Sequence, residues 1–256
     1  MKVILKTEEE IEILRENAIM TSKTLAEVGK HIVPGVTTKE LDKIAETYIR
    51  DMGAEPGFLG YGGFPYSLCL SVNDVVVHGF PSDYKLKEGD IVSVDTGTLY
   101  KGYYGDSAYT FPVGKVDEGT AKLLKVTKES LYLGIEQAVE GNRTGDIGYA
   151  IQSYCEKNGF SVVREMVGHG CGADMHEAPD VPNYGSKGRG KKLVDGMVIC
   201  IEPMICYGDK SIYLHENGWS VSTIDKTNAA HFELTVHITK GKPDILSTFK
   251  FIENIK

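Results

Sequence analysis

The chain has 256 residues, 41% of them hydrophobic and 25% charged, with a formal net charge of −8. That is an ordinary globular composition with length enough for a large core, and its acidity argues against nucleic-acid binding as the main task. The five cysteines (Cys69, Cys155, Cys171, Cys200, Cys206) contain no C-x-x-C pair and read as reduced thiols, while the acid-rich start MKVILKTEEE and the lack of any long apolar run predict a cytoplasmic protein away from the membrane.

Taken in chain order, Thr7 and Glu10 fit a capping box, and Ile11, Leu14, Ala18, Leu25 and Val28 follow helical spacing. This first helix should stop near His31, before Pro34-Gly35. A second starts at Thr37 or Thr38, carries Leu41, Ile44, Ala45, Tyr48 and Met52, and ends at Gly53. Strands and turns are expected through residue 113, then helices over about 117–139 and 144–158, then a strand-rich remainder.

The second helices of the two pairs overlay at an offset of 106 residues, with Gly35 on Gly141, Thr38 on Thr144, Leu41 on Ile147 and Gly53 on Gly159. EGDIVSVD (88–95) likewise resembles DGMVICIE (195–202) at an offset of 107, which sets Asp95 over Glu202. His78-Gly79 and His169-Gly170 match at 91, so the spacing predicts an insertion between His169 and Glu202. These matches predict an internal duplication, with repeats at about 7–113 and 117–245, inside one domain spanning 1–256. A duplicated α/β unit has a cleft between its halves, where Asp95 and Glu202 would face each other.

Five potential metal ligands lie in or beside apolar, strand-like runs: Asp95, Asp106, His169, Glu202 and Glu233. A buried carboxylate must be neutralised, paired or metal-bound, and two divalent cations would cancel the repulsion among four of them. Glycines at 97, 102 and 105 predict a hairpin that carries Asp95 and Asp106 on neighbouring strands, although turn acids capping backbone amides fit the same pattern. His169 stands among Gly168, Gly170 and Gly172, seven residues before His176, a gap that is not the H-E-x-x-H of a zincin. Pro203 should end the MVICIEP strand and expose Glu202. Glu233 alternates with Phe232, Leu234 and Val236, as a solvent-facing acid would; His231 and His237 share its face, His231 read as backing the site and His237 as a surface residue. The glycine-dense run GFLGYGGFPYSLCLS suits a loop lining an apolar hole. Its Tyr61, Phe64, Tyr66 and Cys69, with Met175 and Trp219, are candidate pocket residues, although each alone reads as core.

The series VNDVVVHGFP, DTGTLYKGYYGD, GHGCGADMHEAPDVPN, CIEP and NGWSVSTIDKTNAAHFELTV resembles the type I methionine aminopeptidases of the pita-bread fold, in their short bacterial form, over about residues 5–245. The resemblance implies an α+β fold of two pseudo-symmetric halves that share a curved antiparallel sheet with helices on its outer face. It implies two divalent ions (cobalt, manganese, iron or zinc) on Asp95, Asp106, His169, Glu202 and Glu233, with Glu202 also accepting a proton. His78 and His176 would contact substrate, and Tyr61, Phe64, Cys69, Met175 and Trp219 would receive a methionine side chain. The expected partners are nascent polypeptide N-termini at the ribosome exit, met by a monomer with no nucleic-acid or membrane role. Three positions depart from the pattern: Phe58 where a smaller residue is common, Met175 where an aromatic is frequent, and His231 where glutamine is expected. A prolidase or aminopeptidase P would carry a further N-terminal domain, and an inactive pita-bread binding protein would have lost ligands.

Overall fold

The computed structural model describes residues 2–253. Helix α1 (Glu8–Gly29) opens on the expected box: Thr7 Oγ1 accepts from the Glu10 amide, and the Glu10 carboxylate accepts from the Thr7 amide at 2.7 Å. α2 (Thr38–Asp51) repeats this with Thr37 and Glu40. α3 (Glu118–Ile135) is capped by Asp117. α4 (Thr144–Lys157) starts at Arg143, whose amide donates to Asp146 Oδ2 at 2.8 Å, so the acid three residues on plays the part Glu40 plays for α2. The predicted apolar stripe of α1 is buried throughout. In α2 the buried stripe is Leu41, Ala45 and Ile49, with Ile44 and Tyr48 only half-buried. The pairs α1/α2 and α3/α4 share one core with the sheets, through Leu25, Leu41, Leu123, Leu131, Ile147 and Ile151. Each such leucine or isoleucine contributes roughly 1.5–3 kcal/mol by burial.

The two main sheets have related layouts. In one, Ile91–Tyr100 runs antiparallel between Leu68–Val72 and Tyr103–Pro112. In the other, Val198–Ile201 runs antiparallel between Gly168–Gly170 and Leu234–His237. Val94 pairs with Tyr109 in the first, and Ile201 with Leu234 in the second. The expected shared antiparallel sheet is built from two strand groups that meet at an antiparallel bridge between Ala108 and Glu233. Hydrogen bonds flank that bridge in matched fashion: Thr110 Oγ1 donates to His231 O at 2.7 Å, and Thr235 Oγ1 to Asp106 O at 2.8 Å. A local two-fold relation thus gives His231 the place in its half that Asp106 holds in the other. The predicted match of His78 to His169 is not kept, because Val72 pairs with Val92 and Gly170 with Ile199. At the offset of 107, this register sets His169 over Ser71, and His78 lies instead beyond the Val75–Val77 strand in a left-handed conformation (φ 56°).

Candidate metal centre

The hairpin that carries Asp95 and Asp106 closes on Lys101 and Gly102, both at positive φ, the geometry that matches strand twist. Asp95 lies opposite Ala108 and Asp106 opposite Gly97, so the two carboxylates are diagonal neighbours on one face. A Cβ at Gly97 would come within 2.7 Å of the Phe58 ring, so the bulky residue at position 58 is seated against a strand glycine. Gly168 is similarly tight, with its absent Cβ 2.3 Å from Cys200 O, which draws the His169 strand against the Glu202 strand. His169 Nδ1 donates to Gly170 O at 3.0 Å and turns Nε2 toward Glu202 Oε1 (3.5 Å) and Asp106 Oδ2 (3.8 Å). Asn183 fixes the Glu202 backbone through a 3.0 Å bond to its carbonyl.

All five candidate ligands line one cavity of about 260 Å³, near the small end of ligand sites. Donor atoms of Asp106, His169 and Glu233 lie within 4.8 Å of one another, together with Cys200 Sγ, which the sequence reading missed. Strand alternation was the available signal: Cys200 lies two residues before Glu202. Glu233 is 2% exposed, against the solvent-facing reading its alternation allows, because the two halves cover both faces of its strand. His237 is buried too, not on the surface: the Asp244–Ile245 strand covers it and Asp244 Oδ2 meets its Nδ1 at 3.2 Å.

The apolar wall joins Phe58, Phe64, Cys69 and Met175 in one cluster, with Tyr61, Tyr66 and Trp219 packed against it. Trp219 is half-buried, and its ring meets that of Phe64 edge-on at 5.2 Å. At the rim, the exposed His176 packs on His169 (4.4 Å between centroids), and its Nδ1 lies 3.2 Å from Tyr61 Oη. His78 lines the cavity from the opposite half.

The electrostatics are those of a cluster awaiting positive charge. Asp95 Oδ1, Asp106 Oδ1 and Glu233 Oε1 are buried without a hydrogen-bond partner. Burial pushes Asp95 up to about 7 and Glu202 up to about 8. Asp106 and Glu233 are raised well above the carboxylate range by burial first and by neighbouring carboxylates second. Burial lowers His169 to about 3, leaving a neutral imidazole able to ligate. Orphaned carboxylate oxygens beside a neutral imidazole fit hard or borderline divalent cations.

Stability after chelation should therefore fall as pH rises from about 7 to 8. Folded Asp95 and Glu202 keep protons that an unfolded chain releases near pH 4, whereas His78 and His169 give up protons that an unfolded chain keeps to about pH 6.5; the two effects oppose each other below that pH, and from about pH 7 to 8 the folded state binds more protons and loses ground. Calorimetry between pH 7 and 8 should show a declining Tm, by about 2–4 °C per kcal/mol in a chain of this size. A flat or rising Tm would contradict the buried-carboxylate account.

A buried carboxylate-imidazole centre beneath an apolar pocket defines a metal-dependent hydrolase. The model of metallopeptidase family M24 matches residues 12–240. The methionine aminopeptidase of Clostridium acetobutylicum is 50% identical over 96% of this chain and 98% of its own, and methionine aminopeptidase 1 of Bacillus subtilis is 49% identical over 96% and 99%. The crystal structure of methionine aminopeptidase from Rickettsia prowazekii superposes with a TM-score of 0.95 at 40% identity, covering 96% of this chain and 100% of that one. The chain belongs to the methionine aminopeptidases of metallopeptidase family M24. The prolidase of Pyrococcus horikoshii shares the fold (TM-score 0.79, 24% identity), but only 64% of that longer chain is covered. Among the described residues, no helix is long and apolar enough to cross a membrane.

Proposed function

We propose that the protein removes the initiator methionine from nascent polypeptides whose second residue is small. The observation that carries this reading is one cavity holding five converging donors on one side and the Phe58, Phe64, Cys69, Met175 and Trp219 wall on the other. Asp95, Asp106, His169, Glu202 and Glu233 would hold two divalent ions, with manganese, iron or cobalt favoured over tetrahedral zinc by an oxygen-rich set. Bound there, the ions supply Lewis acidity and a water of lowered pKa.

The residues do the rest. The apolar wall takes the methionine side chain, whose thioether packs well on aromatic edges. A free α-amine would be bound at the centre those residues hold, which would restrict cutting to the chain terminus. Glu202 accepts the proton of the attacking water and returns it to the leaving amine. His176 Nδ1 lies 3.2 Å from Tyr61 Oη; with the tyrosine donating, the ring would carry its proton on Nε2 and donate it to the substrate carbonyl oxygen. His78, held neutral by burial with its pKa lowered to about 4, adds a hydrogen bond without adding charge. The enzyme would work as a cytoplasmic monomer on nascent chains at the ribosome exit.

Hydrolysis of Met-Ala-Ser and Ala-Ala-Ser, with manganese or cobalt and after chelation, tests the reading. Methionine should leave the first peptide only, and chelation should stop it. Equal cleavage of both peptides, or indifference to chelation, would sink the proposal.

A further inference from the structure

Glu202 lies between two imidazoles. Its Oε1 is 3.5 Å from His169 Nε2, and its Oε2 is 3.4 Å from Nε2 of His231. The two rings are prepared differently. His169 donates Nδ1–H to Gly170 O, which leaves a lone pair on Nε2, so this ring can ligate but cannot donate to Glu202. His231 has no such partner: both its ring nitrogens are buried without a hydrogen bond, on a residue 2% exposed that lines the cavity. With the centre loaded and Glu202 ionised, the carboxylate next to Nε2 then selects the tautomer with its proton there.

The backbone that carries the ring is also held in place. The His231 amide donates to Thr110 Oγ1 at 2.9 Å, and the same hydroxyl donates to its carbonyl at 2.7 Å. At 3.4 Å the approach to Oε2 is long for a hydrogen bond, within the looseness that catalytic contacts show before they tighten on substrate.

We propose that His231 is a positioning residue for Glu202: its Nε2–H donates to Oε2, leaving Oε1, on the His169 and Asp106 side, free to face the reacting water. The proposal rests on Glu202 serving as proton acceptor in the reaction above. Glutamine, expected here from the family resemblance, also offers an N–H of similar reach.

The variants His231→Leu, His231→Asn and His231→Gln, loaded with manganese, separate the possibilities on Met-Ala-Ser. Leucine lacks the donor and asparagine is too short, so both should lower kcat about 10–100-fold with KM little changed. Glutamine should restore kcat. Metal content should equal wild type in all three, and in cobalt-loaded samples the visible absorption band should shift for Leu and Asn but not for Gln. Full activity in the Leu and Asn variants, equal losses in all three, or loss of metal from the variants would overturn the proposal. The cobalt spectra keep the test independent of the peptide assay: identical spectra in wild type and the Asn variant would overturn it by themselves. Failure of wild type to release methionine would count against the proposed reaction instead.

Discussion

Glu233→Gln is expected to lose bound metal and at least about 10³-fold in turnover, because the site then lacks a charged ligand on which both polarisation of the carbonyl and activation of water depend. Glu233 lies in the tightest part of the centre, with its donor atom within 4.8 Å of those of Asp106 and His169. The same substitution should stabilise the chelated protein at pH 8. Glu233 is raised by burial and by the charges of Glu202 and Asp95, so its removal as an acid relieves repulsion that only a cation otherwise relieves. Metal analysis, Met-Ala-Ser hydrolysis and calorimetry of the chelated forms together check this. A variant that keeps its metal, or a chelated variant melting below chelated wild type, would show that Glu233 is an ordinary structural acid.

His176→Ala should give the opposite combination: metal retained, turnover lower by about 10²–10³-fold, the cost of one donor to developing negative charge. The loss should fall mainly on kcat, because the donor matters most as charge builds on the carbonyl oxygen. His176 packs on His169 but does not hold it; the Gly170 carbonyl orients that imidazole. Metal leaving the variant would make His176 a ligand, and wild-type turnover would remove it from the reaction.

Much of this was legible along the chain because it is local. Capping boxes at Thr7–Glu10 and Thr37–Glu40 act over one helical turn, and the 97–105 glycines mark the hairpin that brings Asp95 beside Asp106. Glu233, Cys200 and His237 were less legible for one shared reason. Alternation along a strand assigns residues to two faces without saying what covers either. For Glu233 the cover is the other half of the molecule; for His237 it is the Asp244–Ile245 strand. Cys200 was read only as a reduced thiol, although it lies on the same side of its strand as Glu202.

The sequence by itself determined the helices, the hairpin, the glycines that admit close approach and, through resemblance, the family and its candidate donors. Only the tertiary structure decided that these donors share one cavity, since Asp95 and Glu233 approach through pairings between halves that lie far apart in the chain. It also decided their chemistry. A carboxylate keeps or gives up its proton according to the water removed from it and the charges set beside it; at Glu202 burial is the cause, and at Asp95 and Glu233 charges of residues distant in the chain act beside it. His231 illustrates the division: in the sequence it is a departure from an expected glutamine, and the fold makes it an unpaired imidazole 3.4 Å from Glu202.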